Sequence, residues 1–121
     1  MKSTIARLDN LVAKEKTAHQ VTENVRFSDY LLSRRFNSKT FTRCAKDLQA
    51  LVDQYPAPSD SDHPIDMVFS MSAKYQTPTL QVNPVEWGRG NSGLISDVLE
   101  EYFSNIDTEE RSYGFMFEFT D

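Results

Sequence analysis

The sequence is poor in the residues that build specialised sites. In 121 residues it has one cysteine, two histidines, one tryptophan and four glycines. A lone Cys44 cannot close an internal disulfide, and nothing argues for export to an oxidising compartment. His19 and His63 are far apart in sequence and lack the spacing of metal ligands. No apolar run approaches the roughly 18 residues needed to cross a bilayer. The opening stretch, MKSTIARLDNLVAKEK, has no continuous apolar segment of the signal-peptide kind. These absences predict a cytoplasmic protein with no membrane segment, no metal and no cofactor.

Catalytic patterns are missing as well. There is no Gly-x-Ser-x-Gly elbow and no phosphate-binding Walker loop. The adjacent pairs Glu100–Glu101 and Glu109–Glu110 do not form a carboxylate dyad, because neighbours on a helix point about 100° apart. Cys44 falls on the apolar face of a predicted helix, away from the exposed, electropositive setting that activates a thiol. The expectation is a protein that is not an enzyme.

What is present suits a globular chain. Hydrophobic residues make up 39% and charged residues 26%, which argues against wholesale disorder. The length fits one domain. The net charge of −5 is unevenly spread. Residues 1–60 hold ten Lys/Arg against seven Asp/Glu, a balance of +3; residues 61–121 hold three against eleven, a balance of −8. A basic half and an acidic half suggest two different faces.

The first half, 1–55, reads as helical. Ile5, Leu8, Leu11 and Val12 recur at helical spacing behind Ser3, a plausible cap. The segment KTAHQVTENVR is ambiguous, and the first helix can be drawn through it. A short helix starts near Ser28. A third is marked by Phe41, Cys44, Ala45, Leu48, Leu51, Val52 and Tyr55, with Asn37 or Ser38 as cap and Pro56 as stop. Residues 56–64, rich in Pro, Ser and Asp, form a loop.

The second half, 65–121, changes period. Ile65, Met67, Phe69, Met71 and Ala73 alternate with more polar neighbours, as in a strand with one buried face. Thr79–Val82 is a second strand, reached through a turn near Gln76–Pro78. Ile95, Val98, Leu99, Tyr102, Phe103 and Ile106 mark an amphipathic helix over 92–106. Tyr113, Phe115, Phe117 and Phe119 alternate in a last strand, which can lie at a sheet edge. The expected fold is α+β: two or three helices, then a small, mostly antiparallel three-stranded sheet packed by one helix.

Three stretches are candidate sites. EWGRGNSGLI contains Gly-x-Gly-x-x-Gly at Gly88, Gly90 and Gly93. The dinucleotide fingerprint needs its turn directly at a strand end and an acidic residue about 20 positions on. Here NPVEW intervenes, and no acidic residue stands that far beyond Gly93. The stretch is therefore read as a loop in which Gly88 and Gly90 permit positive φ and Asn91 or Ser92 caps the next helix. Anion binding at the helix start, aided by Arg89, is a distant alternative. On the third helix Lys39, Arg43 and Lys46 form a stripe, preceded by Arg34 and Arg35, that can follow a phosphate backbone; nucleic acid is thus a second candidate partner.

The leading expectation is a protein-binding regulator: an inhibitor, an immunity or anti-defence factor, or an adaptor. It would occupy a basic surface of a partner protein through an acidic face. Its candidate contacts are Trp87, Arg89, Glu100, Glu101, Glu109 and Glu110.

Overall fold

The computed structural model describes residues 19–33, 38–57, 64–72 and 76–120. Their elements run β1 (His19–Gln20), β2 (Val25–Phe27), α1 (Asp29–Ser33), α2 (Ser38–Gln54), β3 (Asp66–Met71), β4 (Pro78–Asn83), α3 (Val85–Gly90), α4 (Ser92–Glu100), β5 (Ser104–Arg111) and β6 (Gly114–Thr120). The strands form one six-stranded sheet in the order β1-β2-β3-β4-β6-β5. The β2–β3 pair is parallel and the other neighbours are antiparallel. The architecture is α+β, but a six-stranded mixed sheet replaces the expected helical half followed by three strands.

The extra strands have physical reasons for being hard to read. β1 and β2 have only two and three residues, too few for an alternation to register. They occupy the segment through which a helix could be drawn. Val25 and Phe27 are buried and sit in register with Met67 and Phe69. Asn24 anchors the approach: its side-chain Nδ2 donates to Ile65 O at 2.6 Å, and Gln49 of α2 exchanges two further bonds with it. The first predicted helix, residues 34–37 and His63 lie outside the described residues.

The predicted 92–106 helix is also shorter than expected. It ends at Glu100, where the N–H groups of Tyr102 and Phe103 both close on Leu99 O. The chain then turns into β5 through a bulge between Ser104 and Asp107, with Asn105 at φ 57°. Phe103 and Ile106 still reach the core, so their spacing mimics a continued helix.

One face of the sheet carries the core. Met67, Phe69, Leu80, Val82, Phe115, Phe117 and Phe119 meet Phe41, Cys44, Ala45 and Leu48 of α2 and Ile95 and Leu99 of α4 in one buried cluster. Residues from both sides of the 56–64 loop contribute to it. Phe41 is the hub, with ring centroids 5.8 Å from Phe27, 5.1 Å from Phe69, 5.0 Å from Phe103 and 6.4 Å from Phe119. The opposite face is polar and internally bonded. Ser70 Oγ lies 2.9 Å from Thr79 Oγ1, Thr77 Oγ1 donates to Glu118 at 2.9 Å, and Gln81 Nε2 donates to Tyr113 O at 3.0 Å. Arg26 and Asp66 pair across β2 and β3 on that side. The aromatic last strand lies between β4 and β5, not at an edge. β5 holds the edge.

Candidate functional site

The glycine stretch is not a loop. Gly88 and Gly90 lie in α3, Gly93 lies in the first turn of α4, and no glycine among the described residues has positive φ. The reason for glycine at 88 is a close approach. A Cβ there would stand 2.8 Å from Phe115 Cβ and 3.3 Å from Val82 Cγ1, so α3 rests directly on the sheet. Gly90 faces open space. Asn91 precedes α4 but makes no side-chain cap to it; its Nδ2 donates back to Trp87 O at 2.9 Å. The strand-turn-helix cradle that a pyrophosphate needs is replaced by two short helices in series.

Trp87 is buried and its indole N–H donates to Tyr55 O at 2.7 Å. That bond ties α3 to the end of α2 and satisfies the ring's one polar atom. The indole of Trp87 thus links α3 to the chain just beyond α2, and the residue is 8% exposed. Arg89 projects outward and its Nε donates to Glu110 at 2.5 Å. The hydrogen bond and charge of Arg89 hold the Glu110 carboxyl below its usual range, and Glu110 raises the Arg89 guanidinium in return. Glu109 pairs with Arg111 at 2.7 Å on the other side of the strand. Both pairs are solvent-exposed, and such pairs contribute little to stability.

Glu100 and Glu101 are exposed at the end of α4. Because α4 runs into β5 through a tight turn and packs beside it, they mark one end of a strip whose other end is Glu109 and Glu110. Five to seven residues of strand separate the two ends, about 20 Å at 3.3 Å per residue. Asp97 and Asp107 lie on the same two elements and are also exposed. Residues 92–111 thus carry six exposed carboxylates and one arginine. Asp97 and Asp107 are not legible as part of the strip from local sequence, because each stands alone between uncharged neighbours. The signal that finds them is charge counted over the whole 92–111 segment.

The basic stripe is also real geometry. Lys39, Arg43 and Lys46 are exposed on the side of α2 away from the core, while Arg34 and Arg35 lie outside the described residues. α2 packs against α4, so the basic row and the acidic strip share one helical layer. Between them the Tyr102 hydroxyl donates to the Asp47 carboxylate. That hydrogen bond, with burial and the negative charge of Asp47, pushes the Tyr102 phenol up to about 12.

The Tyr102 shift predicts a pH dependence. In the unfolded chain the phenol titrates near 10, so the unfolded form loses its proton first. The stabilisation is complete below pH 10 and is lost as pH rises towards 12. The thermal midpoint of the wild type should exceed that of Tyr102→Phe at pH 9, and the gap should be clearly narrower at pH 11.5. An unchanged gap would show that the hydroxyl bond carries no linked stability.

Cys44 is fully buried, and burial with nearby Asp47 and Glu101 pushes its thiol up to about 12. It is a core residue with no thiolate to offer at neutral pH. His19 lies 2.7 Å from Asp29 at the surface. Among the described residues no group of three His, Cys, Asp or Glu could hold a metal, and no helix is long and apolar enough to cross a membrane. Comparison with protein-family models, with curated proteins and with solved structures finds no match to this chain.

Proposed function

We propose that the chain is a small non-enzymatic regulator that binds another protein, as an inhibitor, an immunity or anti-defence factor, or an adaptor, by covering a basic surface of that partner. One observation carries the reading: six exposed carboxylates, Asp97, Glu100, Glu101, Asp107, Glu109 and Glu110, run along α4 and the edge strand β5. A strip of one sign speeds encounter with a surface of the other sign and rejects like-charged partners. Arg89 and Arg111 lie within it as exchangeable counter-charges.

The test is affinity capture from host lysate, with nuclease, at low and high salt. The bait is the wild type or a variant with Glu100, Glu101, Glu109 and Glu110 all changed to Lys. The four side chains are exposed, so the variant should fold, which circular dichroism checks. The expected result is a stoichiometric protein partner that the variant binds at least about tenfold more weakly. Equal capture by both baits removes the acidic strip from consideration.

A second reading uses the exposed row Lys39, Arg43 and Lys46, which has the spacing to follow phosphates. It predicts loss of the captured partner after nuclease and weaker binding when the three become alanine.

A further inference from the structure

We propose that β5 docks a partner by strand addition, taking up an extended segment with lysine or arginine at alternate positions. The choice of a basic occupant rests on the acidic-strip reading; the mode of contact goes beyond it.

The β5–β6 turn fixes which main-chain groups of β5 face outward. Arg111 pairs with Gly114 across two residues, and the register continues through Glu110 with Phe115, Glu109 with Met116, Thr108 with Phe117 and Asp107 with Glu118. In an antiparallel ladder, directly opposed pairs alternate between bonded and non-bonded. With a two-residue turn the closing pair is a bonded one, so Arg111, Glu109 and Asp107 turn their main-chain groups to β6. Thr108 and Glu110 turn theirs outward. Among the described residues no strand lies beyond β5 and no residue bonds those outward N–H and C=O groups. Along this edge the register is unbroken from Asp107 to Arg111 and shifts at the Ser104/Asp107 bulge. An added strand of about five residues fits, an ordinary strand length.

Side chains then select the occupant. Glu109 and Asp107 stand on the helix-free side, and Glu110 and Thr108 on the helix side. A second copy added antiparallel opposes Glu109 to its own copy when centred there, with Asp107 facing Arg111, and opposes Asp107 to Glu109 twice when centred on Thr108; directly opposed like charges are destabilising. A strand with basic residues at alternate positions instead places a cation opposite each of Asp107 and Glu109 on the helix-free side. It also displaces Arg111 from its exposed pair with Glu109, which holds it weakly. Main-chain bonds would supply affinity and the charges would supply specificity, as in other edge-strand recognition.

The probe is a capped ten-residue peptide alternating Lys and Thr. Its control has the same side chains but methyl groups on the Thr backbone nitrogens, which blocks the edge that sets Lys opposite Asp107 and Glu109 and leaves the charge intact. Binding is read by fluorescence anisotropy, and backbone protection by amide hydrogen exchange. The unmodified peptide should slow exchange at Thr108 and Glu110. The methylated control should bind roughly tenfold more weakly or worse, the equivalent of one or two net hydrogen bonds. Thr108→Pro removes one outward N–H without touching the β6 ladder and should weaken the unmodified peptide to a similar degree. If both peptides bind alike and Thr108→Pro changes nothing, recognition is by charge alone: strand addition is overturned while the acidic strip stands. If the unmodified peptide does not bind at all, strand addition is likewise overturned, and the lysate capture decides the strip separately.

Discussion

Replacing Phe41 with alanine is expected to cost about 3–5 kcal/mol, because it empties the centre of the aromatic cluster. The ring is 1% exposed and touches Phe27, Phe69, Phe103 and Phe119, which come from β2, β3, the α4–β5 turn and β6. No single neighbour can collapse into the space without leaving its own contacts. A domain's whole stability is about 5–15 kcal/mol, so this variant should unfold at a far lower urea concentration or fail to fold. Phe41→Leu keeps much of the volume and should lose less than the alanine variant. Should Phe41→Ala unfold within about 1 kcal/mol of wild type, α2 is not fastened to the sheet through this ring.

Gly88→Ala should destabilise by about 1–3 kcal/mol, although alanine is ordinarily the better helix former. The added methyl meets Phe115 Cβ at 2.8 Å, and that atom is one bond from the β6 backbone, so it cannot swing aside. Either α3 lifts or β6 bends. Gly90→Ala is the control. It is two residues along the same helix, its Cβ would meet nothing within 4 Å, and its φ is not positive. There the substitution should be neutral or stabilising by up to about 1 kcal/mol. Chemical denaturation of the two single variants separates the effects. Equal midpoints would show that α3 does not rest on the sheet as described.

The contrast at 88 and 90 also shows where sequence reading stops. A glycine signals permissive backbone or a close approach, and the sequence cannot say which. The decisive neighbour of Gly88 is Phe115, far along the chain. α2 was legible because six apolar positions, Phe41, Cys44, Ala45, Leu48, Leu51 and Val52, repeat at helical spacing along it. β3 and β6 were legible because their inner positions alternate with polar ones. β5 was not, since its inward-facing Thr108 and Glu110 are polar at an edge, where little is buried. The parallel pairing of β2 with β3 joins residues some 40 positions apart, beyond any local pattern. At the candidate site, the exposure of Glu100, Glu101, Glu109 and Glu110 followed from their charge. The burial of Trp87 did not, because the acceptor that satisfies its N–H is Tyr55 O, 32 residues earlier.

The place of β6 has a consequence for how the protein is made. β6 leaves the ribosome after both strands that flank it, yet it sits between them. Until residues 114–120 emerge, β4 has a bare margin and the Phe41 ring of α2 lacks Phe119 beside it. β5 cannot fill the gap alone, because its register is with β6 and not with β4. The natural filler is the β5–β6 hairpin, which can form locally across its two-residue turn and then slide in as a unit. Nascent chains paused before residue 114 should therefore be the species most in need of a chaperone. Docking of the hairpin seals the margin of β4 and, in the same movement, carries a new one to the outside at β5.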